Sequence, residues 1–150
     1  MRLPANPTRA TMPVAIVAYV ATLITLCALD AVWLTTMMPT YQHALGALLT
    51  PTPALAPAAL FYLLYALGVV VLVVLPGIGT RRWDAIMPRG ALFGLVAYGT
   101  YDLTNQATLR GWPMGLTVLD MAWGTVLTAI AAIIAHAIAD RVARRRAAAM

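Results

Sequence analysis

Lysine, glutamate and serine do not occur in this chain of 150 residues, cysteine occurs once, and only 10% of the residues are charged. Each shortage excludes something. A soluble domain covers its surface with about 25% charged residues, so most of this surface does not face water. An ordinary soluble enzyme, a disordered chain and a disulfide scaffold are all excluded. Without serine, and with Cys27 inside an apolar run at the depth of neither histidine, the nucleophile and base of a serine or cysteine hydrolase have no source. The single cysteine allows no intramolecular disulfide and no structural zinc site. His43 is expected in a loop and His136 near the far end of the last span, on opposite faces of a membrane. They cannot form the axial pair of a haem, and no metal or cofactor is expected.

Hydrophobic residues make up 62% of the chain and fall into long runs. Apolar stretches at about 13–38, 55–75, 90–109 and 113–140 each approach the roughly 20 residues that cross a bilayer core. Pro39 is expected to close the first run. Pro57 stands in the first turn of the second, where a missing N–H is harmless, and Pro76 at its end. Val69 to Leu75, nearly all Val and Leu, is expected to face lipid. The third run follows Pro88 and Arg89, and Arg110-Gly111 joins it to the fourth. None of the runs alternates polar and apolar residues as a transmembrane strand does. The fold class is therefore all-α: a four-helix transmembrane bundle of up-down topology, forming one integral membrane domain over residues 1–150. A cleaved signal peptide is not expected, because the first run exceeds an ordinary signal core and no small-residue cleavage site follows it.

The net charge is +5, and every one of the ten basic residues is Arg. In a soluble protein that would suggest nucleic acid, but position decides otherwise. Arg2 and Arg9, Arg81, Arg82 and Arg89, and Arg141, Arg144, Arg145 and Arg146 all fall on one side if both termini are cytoplasmic, and only Arg110 falls on the other. By the positive-inside rule the orientation is N-in/C-in, in a multi-pass protein of the bacterial inner (cytoplasmic) membrane. Its expected partner is the lipid bilayer and not nucleic acid; the sequence leaves oligomer formation open. Tyr41, Trp83 and Trp112 fall at expected interfaces, and so does His136. The Arg-rich tail reads as a topological anchor.

Charged residues inside spans cost about 2.5 to 3.5 kcal/mol each and normally face a bundle interior or a cavity. Three occur here. Asp30 lies eight residues before Met38, Asp102 eight before Arg110, and Asp120 seven after Pro113. Each carboxyl group is thus expected roughly 10 to 12 Å below the outer surface. On the third span Tyr98, Asp102 and Asn105 share a helix face, with Tyr101 beside them. Tyr62 and Tyr65 on the second span reach the same layer. Trp33 lies one turn from Asp30 and Trp123 one turn from Asp120. An internal echo, L-D-x-x-W-x-T, relates Leu29–Thr35 to Leu119–Thr125. No lysine is available to neutralise the acids, so at least one is expected to hold a proton near neutral pH. The candidate site is therefore Asp30, Trp33, Tyr62, Tyr65, Tyr98, Tyr101, Asp102, Asn105, Asp120 and Trp123. It reads as an acidic and aromatic pocket in the outer half of the bilayer, for a proton, a cation or a small polar ligand. Structural glue between helices is the bland alternative. Gly90 and Gly94 form a small-xxx-small pattern, read as helix packing.

Small multidrug exporters share the length and helix count, but they carry a Glu in span one and little charge bias; this chain has no Glu and a nine-to-one bias. Three other stretches carry a closer likeness: LDAVW at 29–33, residues 60–75 with Tyr62 and Tyr65, and GLVAYGTYDLTNQATLRGWPMGLTVLDM at 94–121. Through them the chain resembles a family of small bacterial four-span proteins, predicted membrane proteins that form a domain of unknown function. The resemblance extends from span one to span four and implies no activity, so an enzyme is not the first expectation. It does imply an alternative, an enzyme or accessory factor in membrane-lipid modification; a structural membrane subunit is another.

Overall fold

A computed structural model describes residues 11–80 and 83–149, with the side chain of Trp83 excepted. Arg2, Arg9, Arg81 and Arg82, and the expected interfacial role of Trp83, lie outside the described residues. All regular structure among the described residues is helical: α1 spans Met12–Leu45, α2 Leu55–Val69, α3 Trp83–Thr108 and α4 Met114–Ala148. Three stretches are long and apolar enough to cross a membrane, namely Met12–Leu48, Leu55–Gly77 and Met114–Ala148. α3 is diluted by Asp84, Arg89, Asp102, Asn105 and Gln106.

The helix ends differ from those the prolines suggest. Pro39 lies inside α1, which continues to Leu45. Proline removes one backbone bond and crowds one carbonyl, and here residues 38–40 are exposed, so the carbonyl left over can be solvated. α3 begins at Trp83, not near Gly90, with Pro88 in its second turn. α4 runs on past Asp140 to Ala148, so Arg141 to Arg146 form its last turns and not a tail beyond the helix. The link between α3 and α4 runs over residues 109–113, longer than the expected Arg110-Gly111, and Gly111 takes φ 76°, which only glycine adopts without strain.

α2 departs most from the expectation. After Val69 it widens into a π turn, Val70–Val74, and then tightens into a 3₁₀ turn, Leu75–Gly77. Val69, Val70, Val73 and Val74 are buried, and only Val71 and Leu72 of the run are exposed. The Val-rich half is therefore core. The first half, residues 55–61, is exposed throughout and leans away from the other helices. A π turn carries more residues per turn than an α-helix, which lets two adjacent pairs of valines face inward together.

α4 is the common neighbour, packing along both α3 and α1. α1 buries every fourth residue, Val14, Ala18, Thr22, Leu26 and Asp30, as one ridge. α4 presents a seam of small residues, Ala131, Ala132, Ala135, Ala139 and Ala143. With lipid outside, no hydrophobic gain drives helices together, and close backbone approach through small residues does. Gly90 lies against Ala129 and Ala132, and Gly94 against the Gly124 backbone.

His136 is fully buried and not interfacial. It neighbours Asp140, whose carboxylate accepts the Gly79 backbone N–H (3.0 Å) and pairs with Arg144 Nε (2.6 Å). The Gly79 bond ties the α2–α3 connection to α4, and the Arg144 pair, within α4, holds the carboxylate that accepts it.

A methyl group added at Gly94 would run into the Gly124 backbone, whereas one at Gly99 would meet only the flexible end of Met121 at 3.2 Å. Overpacking against backbone costs about 1–3 kcal/mol, or roughly 2–4 °C per kcal/mol at this size. Thermal unfolding in detergent should therefore fall by several degrees for Gly94→Ala and stay within about 1 °C for Gly99→Ala.

Candidate functional site

Asp30 ends the buried ridge of α1 and binds two other helices. Its Oδ2 accepts the Tyr62 hydroxyl of α2 at 2.7 Å, and its Oδ1 accepts the Trp123 indole N–H of α4 at 2.9 Å. Both carboxylate oxygens are thereby satisfied. One turn along α1, the Trp33 ring stacks on the Trp123 ring, with centroids 4.3 Å apart and planes 4° from parallel. Trp33 donates its own N–H to the Tyr41 hydroxyl at 2.9 Å, and Tyr41 donates to Asp120 Oδ1 at 2.5 Å. The two D-x-x-W segments are therefore used reciprocally. The Trp of α4 reaches the Asp of α1 directly, and the Trp of α1 reaches the Asp of α4 through Tyr41. Tyr41, expected only at an interface, is the relay that sequence reasoning missed. It lies beyond Pro39, in the part of α1 not expected to be helical.

Asp102 is different. It is 0% exposed, and neither carboxylate oxygen has a hydrogen-bond partner among the described residues. Its charged neighbour is Asp120 of α4. Arg110 is exposed in the α3–α4 link. Around Asp102, Tyr101 is 58% exposed and Asn105 is half-buried. Tyr65 shares a 2.7 Å hydrogen bond with Thr128 of α4, and its ring meets Tyr98 edge-on at 6.3 Å. Tyr98 in turn covers Gly124. The expected residues thus fall into a bonded half around Asp30, a half around Asp102 and Asp120 that is only partly bonded, and an aromatic wall of Tyr65, Tyr98 and Tyr101.

Two recesses adjoin this wall. One, of about 400 Å³, lies between α2 and α3 and is lined by Phe61, Tyr65, Ala97, Tyr98 and Tyr101. It lies beside the exposed, outward-leaning half of α2. The second, of about 240 Å³, lies where the α1–α2 and α3–α4 connections meet, and is lined by Tyr41, Tyr101, Trp112 and Asp120 among apolar side chains. Tyr101 belongs to both. Phe61 and Trp112 were not among the expected site residues. An aromatic side chain in an apolar run gives no sign of which way it faces.

Residues 15–137 match a family described as "Predicted membrane protein (DUF2177)". The chain belongs to that family. No curated protein matches it, and no solved structure does. Membership agrees with three apolar stretches long enough to span, and makes this a multi-pass membrane protein of unknown function. The DUF2177 match takes in the whole Asp30–Trp123 network and both recesses, while Asp140 and Arg144 lie beyond it.

Removing one donor from a buried carboxylate leaves an unsatisfied acceptor, at about 1–3 kcal/mol. Tyr62→Phe and Trp123→Phe should each lower the unfolding midpoint by several degrees. Tyr19→Phe, which gives up only a 3.2 Å bond to the Leu63 carbonyl, should change it little. Equal midpoints for all three would remove Asp30 from the forces holding the helices.

Proposed function

We propose that the chain is a four-span, up-and-down bundle of the bacterial inner membrane with both termini in the cytoplasm, and that Asp102 and Asp120 form a site for positive charge in its outer half. The charge is a proton, a cation or a small polar ligand that carries one. The crossed pairing of Asp30 with Trp123 and of Trp33 with Asp120 supports opposite directions for α1 and α4. The distribution of arginine supports the orientation.

The observation that carries the reading is Asp102. An isolated buried carboxylate costs several kcal/mol unless a proton or a cationic partner neutralises it. This chain has no lysine, and Arg110, the one arginine between Gly90 and Asp140, is exposed. Asp30, by contrast, is satisfied at both oxygens, so it fits the structural role. One sequence therefore treats two buried acids in opposite ways, and the unsatisfied one fits a ligand. A second reading, an enzyme or accessory factor acting on membrane lipid, is favoured by the recess between α2 and α3. A lipid could enter that recess sideways from the bilayer.

Leucine has the heavy-atom branching of aspartate and no charge, so it separates the two roles. Asp102→Leu should leave the unfolding midpoint unchanged or raise it, because an apolar residue replaces an unpaired buried acid. Asp30→Leu should lower stability by more than about 2 kcal/mol, because Tyr62 and Trp123 lose their acceptor. A loss at Asp102 as large as that at Asp30 would make both acids structural and end the binding reading. For the orientation, a reporter active only outside the cytoplasm should work when inserted after Thr50 and fail when fused to the C-terminus; the reverse pattern would invert the topology.

A further inference from the structure

The recess at Asp120 is built as a box. Tyr101 and Trp112 stand 5.8 Å apart with their planes at 79°, so two aromatic walls meet at a corner. Trp112 is held by its N–H bond to Thr117 Oγ1 at 3.0 Å. Tyr41 supplies a third aromatic residue, and its hydroxyl is engaged on both sides, by Trp33 and by Asp120. Asp120 contributes a carboxylate that is 8% exposed, with Oδ1 taken by Tyr41, and Asp102 stands behind it as a second acid without a donor. Aromatic rings around a carboxylate are the surroundings in which quaternary ammonium ions bind, through cation–π attraction and charge. Such a head has no N–H to donate, which suits a box whose phenol is already bonded.

The same Tyr101 is a wall of the apolar recess between α2 and α3, whose other lining is Phe61, Tyr65, Ala97 and Tyr98. That recess has space for a chain, and its walls offer little to a hydrated ion. We propose that the two recesses take one ligand, a membrane amphiphile with a quaternary ammonium head at Tyr41, Tyr101, Trp112 and Asp120 and an aliphatic chain between α2 and α3. The inference rests on the positive-charge site proposed above and names its ligand class. Charge complementarity selects this occupant. The bilayer supplies amphiphiles sideways, and the acids exclude anionic heads.

The test uses the full chain reconstituted in bilayer discs and three probes: dodecyltrimethylammonium, tetramethylammonium as the head alone, and dodecanol as the chain alone. Dodecyltrimethylammonium should bind saturably and at least tenfold more tightly than either part. Asp120→Asn should weaken both ammonium probes at least tenfold and leave dodecanol unchanged. Ala97→Phe, which fills the apolar recess, should weaken dodecanol and the amphiphile and spare tetramethylammonium. Tyr101→Ala, at an exposed position that carries little of the fold, should weaken the amphiphile even if Asp120→Asn fails to fold. If tetramethylammonium binds in an Asp120-dependent way while the chain adds nothing and Ala97→Phe has no effect, the amphiphile is overturned and the charge site stands. If neither ammonium probe depends on Asp120 or Tyr101, this inference falls, and the stability of Asp102→Leu decides the charge site separately.

Discussion

A polar group placed among apolar helices must find its partner inside the protein, because lipid offers none. Asp30 meets that constraint by holding three helices at once: its own, α2 through Tyr62 and α4 through Trp123. The stacked indoles of Trp33 and Trp123 add a flat contact at the same level. Without this junction α2 would be attached chiefly through its valine-rich π turn, since its first half leans away. The recess between α2 and α3 lies beside that exposed half, at Phe61 and Tyr65.

α3 is attached by different means. It has no part in the Asp30 junction, and it lies on α4 through Gly90 and Gly94, where the backbones come close enough to exclude any side chain. Thr128 serves both attachments, with its hydroxyl shared between Tyr65 of α2 and the Gly124 carbonyl of its own helix. Close packing makes α3 rigid against α4 and fixes where Asp102 sits. Asp102 sits on the buried side of that helix with no exposed surface. The absence of a bonded partner at Asp102 therefore carries weight that the same absence on a loose helix would not.

Much of this was legible in the sequence, for a physical reason. An acid in an apolar span is conspicuous, and counting its depth at 1.5 Å per residue put Asp30, Asp120 and their tryptophans in one layer, where the structure links them. Rotation about each helix axis was not legible. In water a helix has a polar face and an apolar face, but in lipid both faces are apolar, so Val69–Val74 reads equally well as surface or core. The prolines misled because proline near a helix end costs one bond that solvent can replace, and so Tyr41 was left outside the helix that carries it to Asp120. His136 misled likewise: a histidine near a span's end suggests the interface, but Asp140 and the small alanines around it give it a buried place.

The repeated L-D-x-x-W-x-T segment makes the division of roles between the acids intelligible. In both copies an Asp stands one turn from a Trp, and each Trp leads to the Asp of the other helix. At Asp30 the crossing is direct, and a second donor, Tyr62, fills the remaining oxygen, so that acid is closed. At Asp120 the crossing passes through Tyr41, and the added phenol moves the carboxylate one side chain away from the indole stack. Asp120 lines the recess that Tyr101 and Trp112 also line. A second donor, such as Tyr62 provides at Asp30, would have closed Asp120 as well and made the junction purely structural. The missing counterpart of Tyr62 is what leaves one end of an otherwise reciprocal arrangement open.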